Sequence, residues 1–198
     1  MISKINYFLL IFPLLTLLSA CGGDEEDSLD QENQEIVIDE DYYEFQTFDM
    51  TPYDLPAFIS LPDETANIGA SKPEVKHTED DIYWTINVGP NFQMIITDCG
   101  DIKDLMKTEK DLLSQIQNFK LDYIVDDPDL ILYKRTLIVE GSEKASPTVG
   151  VEHVSYHVFG TKKIGGFNYT FKSRPEGYEK GLIELMAKSI KSIKPINP

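Results

Sequence analysis

The run Ile82-Tyr83-Trp84-Thr85-Ile86-Asn87-Val88, then Gly89-Pro90-Asn91, then Phe92-Gln93-Met94-Ile95-Ile96-Thr97 decides the fold. In the first run Ile82, Trp84, Ile86 and Val88 alternate with Tyr83, Thr85 and Asn87. A period of two puts the first set on one face of a strand and the second on the other. Gly, Pro and Asn are turn formers, so two such runs joined by them predict a β-hairpin. Antiparallel pairing starts here, with Trp84 as a core residue.

Downstream, Ile102, Leu105, Met106, Leu112, Leu113, Ile116 and Phe119 recur at steps of three and four, opposite Lys103, Lys107, Lys110 and Asp111. That spacing predicts an amphipathic helix capped by Asp101. Leu121 to Val125 and Leu130 to Val139 read as strands joined by Asp126-Asp127-Pro128-Asp129. Carboxylates so close together invite a metal, but Asp and Pro are turn residues first, and the paired acids Asp80-Asp81 are adjacent in the chain without that making a cleft. Gly141 to Thr148 is a polar loop, and Val151 to Phe159 and Gly166 to Lys172 form a further hairpin around Thr161 to Gly165. Ser173-Arg174-Pro175-Glu176 has the form of a capping box. It opens a helix with the stripe Tyr178, Leu182, Leu185, Met186, Ile190 and Ile193, basic at its end through Lys188, Lys191 and Lys194 and stopped by Pro195. Upstream, Phe45 to Asp49 reads as an edge strand and Phe58-Ile59-Ser60-Leu61-Pro62 as a short one. Seven or eight strands, mostly in hairpins, with two helices make an α+β domain. The expected architecture is a largely antiparallel sheet packed against two amphipathic helices.

The first residues carry one positive side chain, Lys4, followed by the apolar run Tyr7 to Leu18 and small residues Ser19-Ala20. This is the pattern of a secretory signal; the run is shorter than the roughly 20 residues of a spanning helix and is interrupted by Pro13. Leu18-Ser19-Ala20-Cys21 resembles the lipobox of bacterial lipoproteins. The resemblance implies that diacylglycerol is added to the Cys21 sulfur and that the mature chain begins there, attached by several acyl chains such as palmitate. One chain alone binds only marginally. Gly22 stands where an inner-membrane retention signal would place aspartate, and Asp24-Glu25-Glu26-Asp27 resembles the export signal of surface lipoproteins of Bacteroidota. The expected location is the outer membrane, facing the cell surface, with a periplasm-facing orientation as the alternative.

Residues 22–44 hold 11 acids and no lysine or arginine, whereas 45–198 hold 23 acids and 17 bases. Most of the net charge of −16 therefore belongs to a short segment with few apolar residues. Such a segment cannot bury enough surface to offset its ordering entropy and reads as a disordered spacer. The division is 1–20 signal, 21–44 lipidated cysteine and acidic tether, 45–198 a single domain. A net acidic domain without a basic stripe argues against nucleic acid. With Cys21 committed to lipid, Cys99 has no partner for a disulfide, and Asp98, Asp101 and Asp104 oppose a thiolate there.

The best cluster of titratable side chains is His153-Val154-Ser155-Tyr156-His157, whose alternation puts His153, Ser155 and His157 on one face. Along a strand the two histidines lie roughly 13 Å apart, too far to share one metal ion at about 2.0 Å from each nitrogen. A serine nucleophile would also need an orienting acid and an oxyanion site, and neither can be placed. The reading is a solvated or half-buried strand face, with no metal and no cofactor. No P-loop, dinucleotide fingerprint, zinc motif or CxxC occurs. The order of elements, with Phe58-Ile59-Ser60-Leu61-Pro62 early and an amphipathic helix from Glu176 to Lys194 at the end, resembles the PsbP-like group. That resemblance implies an accessory or assembly role and carries over no site residues. The expected function is a non-enzymatic binding module for another envelope or extracellular protein. The alternatives are an exported hydrolase with a site at His153, Ser155 and His157, or an immunity lipoprotein that blocks a toxin.

Overall fold

A computed structural model describes residues 41–78, 82–138 and 154–196. They form an α+β fold of ten strands and two α-helices. The strands are β1 (Phe45–Asp49), β2 (Ala57–Pro62), β3 (Glu74–Lys76), β4 (Tyr83–Val88), β5 (Phe92–Asp98), β6 (Phe119–Asp126), β7 (Leu130–Leu137), β8 (Val154–Ile164), β9 (Phe167–Ser173) and β10 (Lys194–Pro195); the helices are α1 (Leu105–Ser114) and α2 (Lys180–Lys191). A small sheet has the order β1-β2-β10 and a large one β3-β4-β5-β9-β8-β7-β6. Every pairing in them is antiparallel.

The decisive hairpin forms as its alternation dictates. Trp84 pairs with Ile96, Ile86 with Met94 and Val88 with Phe92, and all six are buried. Ile82 departs from the expected face: it precedes the strand and is exposed. The hairpin residues share one cluster with Leu55, Ile59 and Leu61 near β2, with Leu132, Val158 and Phe171, and with Ile183, Met186, Ala187 and Ile190 of α2. A second cluster joins Leu113 of α1 to Ile131, Tyr133 and Phe159, with Met106, Ile116 and Leu121 against it.

Five expected boundaries move. Asp101 caps nothing: Asp104, in a left-handed conformation, precedes α1, and Phe119 opens β6 instead of ending the helix. The cause is local. Ile102 N–H closes a turn on Cys99 O at 3.0 Å, and Asn168 Nδ2 donates to Ile102 O at 3.0 Å, so the chain there is held by β9 before the helix can start. The stripe narrows accordingly, with Leu113 its buried member and Ile102 and Leu112 exposed. Ser173 is no cap either. It still pairs with Met94 in β9, and α2 follows Glu179 without a side-chain cap. Thr161 to Ile164, expected as loop, extend β8, leaving Gly165-Gly166 as the turn. Lys194 and Pro195 do not end the helix but pair with Phe58 and Ala57 of β2.

Candidate functional site

Residues 174–177 interrupt the regular ladder. β9 pairs with β5 as far as Met94 and Ser173. The chain then turns, with Gly177 N–H donating to Arg174 O at 3.0 Å, and returns at Tyr178. Tyr178 takes over the pairing that β9 gives up. Its backbone exchanges two hydrogen bonds of 2.9 Å with Tyr156 on β8. Its hydroxyl accepts from Gln93 N at 2.8 Å and donates to Gln93 O at 3.2 Å on β5. The stripe residue Tyr178 is therefore a sheet element, because pairing on both sides outweighs one more turn of α2.

Beside this excursion four side chains come together from β7 and β8. Register sets Tyr133 opposite His157 and Arg135 opposite Ser155. The Tyr133 and His157 rings stack at 5.2 Å with 13° between their planes. Ser155 Oγ lies 2.9 Å from His157 Nε2. Arg135 Nη1 donates to Pro175 O at 3.3 Å, and its guanidinium covers the Phe119 ring at 4.1 Å. Arg174 Nε donates to Gly177 O at 3.1 Å, and its guanidinium lies 4.2 Å from the Tyr178 ring centre.

The expected alternation is correct for the described residues: Ser155 and His157 share a face. That face is neither solvated nor half-buried but buried, since Ser155 is 7% and His157 3% exposed. His153 lies outside the described residues, as do Cys21, the acidic tether up to Glu40, the Asp80-Asp81 pair and the loop Gly141 to Thr148. Sequence reasoning missed Tyr133, Arg135, Arg174 and Gly177. One signal was available: a chain with 18 lysines and arginines holds just two arginines, Arg135 and Arg174, and both meet here.

Burial lowers the His157 pKa, and the positive charge of Arg135 lowers it further, to about 4. Burial, then the charge of Glu109, push the Tyr133 phenol up. The imidazole is therefore neutral at neutral pH, and its hydrogen bond to Ser155 is between uncharged groups. A base for a serine nucleophile must become imidazolium in the reaction, which a carboxylate favours. Here the charge that acts on the imidazole is a guanidinium of the same sign.

A stability slope follows. The unfolded histidine titrates near 6.5 and the folded one near 4, so the unfolded chain takes up the proton first. Stability is full above the unfolded pKa and falls as pH drops towards the folded one. His157 alone is expected to cost about 2 kcal/mol between pH 7 and pH 5. Urea unfolding at both pH values should show this loss in wild type and lose it in His157→Gln. Equal slopes in the two proteins would refute the assignment.

The other sequence candidates lie apart from this cluster. Cys99 is half-buried, with Sγ 3.7 Å from Thr97 O and 3.9 Å from Thr170 Oγ1. The Asp126 to Asp129 turn is closed by Asp127 N–H on Leu130 O at 2.9 Å. Its three carboxylates each face a lysine: Asp126 meets Lys110, Asp127 meets Lys191 at 3.1 Å and Asp129 meets Lys162 at 2.7 Å. An open groove of about 640 Å³ beside α1 is lined by Ile102, Lys103, Leu105, Lys107, Pro128 and Asn168, among others. No helix among the described residues is long and apolar enough to cross a membrane. Comparison of the chain with protein-family models, with curated proteins and with solved structures gives no match.

Proposed function

We propose that the chain is an envelope lipoprotein, tethered through lipid on Cys21, whose α+β domain is a non-enzymatic binding or accessory module. The observation that carries the reading is Leu18-Ser19-Ala20-Cys21 directly behind the apolar run Tyr7 to Leu18. The acidic residues from Asp24 to Glu44 then serve as spacer, which like charges extend. The partner is another envelope or extracellular protein, and the location is the outer membrane with the domain facing the surface. In the same reading α1 and α2 are layers against the large sheet, and the order of elements, similar to the PsbP-like group, supports an accessory role. Against catalysis stands the neutral, buried His157 beside Arg135. The contact of Ser155 Oγ with His157 Nε2 at 2.9 Å favours the hydrolase as second reading.

Cys21→Ser is expected to shift the protein from the membrane fraction to the soluble fraction, because the acyl chains are its attachment. External protease on intact cells should remove the wild-type domain. Retention of Cys21→Ser in the membrane would overturn the tether, and protection of wild type would overturn surface display. Crosslinking in cells should capture a partner; no partner, together with an esterase activity lost in Ser155→Ala, would favour the hydrolase.

A further inference from the structure

Lysines outnumber arginines 16 to two in this chain, yet both arginines converge on one four-residue excursion, 174–177. Each is placed by stacking: Arg135 on Phe119 and Arg174 on Tyr178. Neither forms an ion pair with a carboxylate among the described residues. Arg135 Nε–H is buried and finds no acceptor there. An unmet buried donor is costly, more so when charged. Nη1 is held by Pro175 O while Nε–H is unmet, and a planar guanidinium matches anions that present two oxygens. The hydroxyl of Ser155 stands opposite Arg135 in register.

We propose that Arg135 and Arg174 hold an oxyanion group, a carboxylate or a phosphate, with Ser155 as a further donor. In the tautomer with hydrogen on Nε2, His157 donates to Ser155 Oγ, and the hydroxyl hydrogen is free to turn to the anion. In the other tautomer Ser155 donates to His157 instead, so anion binding selects the first. Glu176, exposed on the same excursion, is the charge that competes with an incoming anion. The proposal deepens the binding reading by naming what the domain grips, and rests on it only for the premise that gripping is its task.

Two arginines give two Nε–H resonances, so ¹⁵N NMR of the full chain reads the site directly. Inorganic phosphate and acetate, each against chloride at equal ionic strength, are the probes. At least one of them should shift the Arg135 Nε–H signal saturably while chloride does not. The anion that saturates first assigns the group as phosphate or carboxylate. Arg135→Lys should weaken binding about tenfold through loss of the fork. Glu176→Gln, on an exposed residue, should tighten it about twofold. Shifts that stay linear and match chloride, or wild-type affinity in Arg135→Lys, would overturn the site. If Arg135→Lys does not fold, unchanged affinity in Glu176→Gln does so instead. Such failure leaves the tethered binder standing, since that is tested by Cys21→Ser and by crosslinking.

Discussion

Phe171→Ala is expected to destabilise the domain by about 3–5 kcal/mol. Phe171 is 1% exposed, on β9, which lies between β5 and β8 in the large sheet. Its register partners are Ile96 and Gly160. A Cβ built at Gly160 would lie 2.6 Å from Ile190 Cγ2 and 3.3 Å from Leu130 Cδ1, so α2 and β7 already reach the backbone there. With Gly160 on one side offering no side chain to move, little can collapse into the space a lost ring leaves. Removing that ring therefore combines the lost transfer free energy with a cavity. Domains of this size have roughly 5–15 kcal/mol in all, so the variant should show a much lower urea midpoint at unchanged slope. Phe167, exposed at the other end of the same strand, is the control; Phe167→Ala should stay within about 0.5 kcal/mol. A loss below about 1.5 kcal/mol for Phe171→Ala would mean that the large cluster is not one continuous core.

Much of that core is legible in the sequence, and the reason is periodicity. Between Trp84 and Ile96 the alternation, the Gly-Pro-Asn reversal and the burial all point the same way, and the pairing follows. The same holds for Phe58 to Leu61, where Ile59 and Leu61 face inward. What failed were the ends of elements, and each failure has a tertiary cause. Ser173-Arg174-Pro175-Glu176 satisfies the local rule for a helix start, but Ser173 is still held opposite Met94 and Tyr178 is claimed by Tyr156 and Gln93. Asp101 has the chemistry of a cap, but Asn168 holds the following residue out of the helix. Lys162 and Lys163 look like loop and lie in β8, where Lys162 reaches Asp129 at 2.7 Å. The site was half legible. Alternation placed Ser155 and His157 on one face, but Tyr133 and Arg135 reach them through register with β7, which no spacing within β8 encodes. That face, expected as solvated or half-buried, is buried more deeply than that, and burial leaves its histidine neutral.

Gly177→Ala is expected to cost about 3 kcal/mol, as the sum of two separable terms. The first is conformational. Gly177 has φ +78, a left-handed backbone that an L side chain adopts at about 1–2 kcal/mol. The second is spatial. The new Cβ would sit 2.6 Å from Cε1 and Nε2 of His157 and 2.8 Å from Tyr156 O. Neither neighbour can retreat freely. The imidazole is stacked on Tyr133 and bonded to Ser155, and Tyr156 O accepts the 2.9 Å bond from Tyr178 that closes the sheet. Overpacking of this kind costs about 1–3 kcal/mol. A double-mutant cycle separates the terms, because His157→Ala removes the ring but leaves φ untouched. In that background Gly177→Ala should cost about 1 kcal/mol less than in wild type, or better, the difference being the coupling between the two residues. Equal costs in the two backgrounds would show that the His157 ring takes no part, leaving the backbone conformation and the Tyr156 carbonyl as the reasons for the glycine. The expected coupling instead ties the glycine to the burial of the His157 ring beside Arg135.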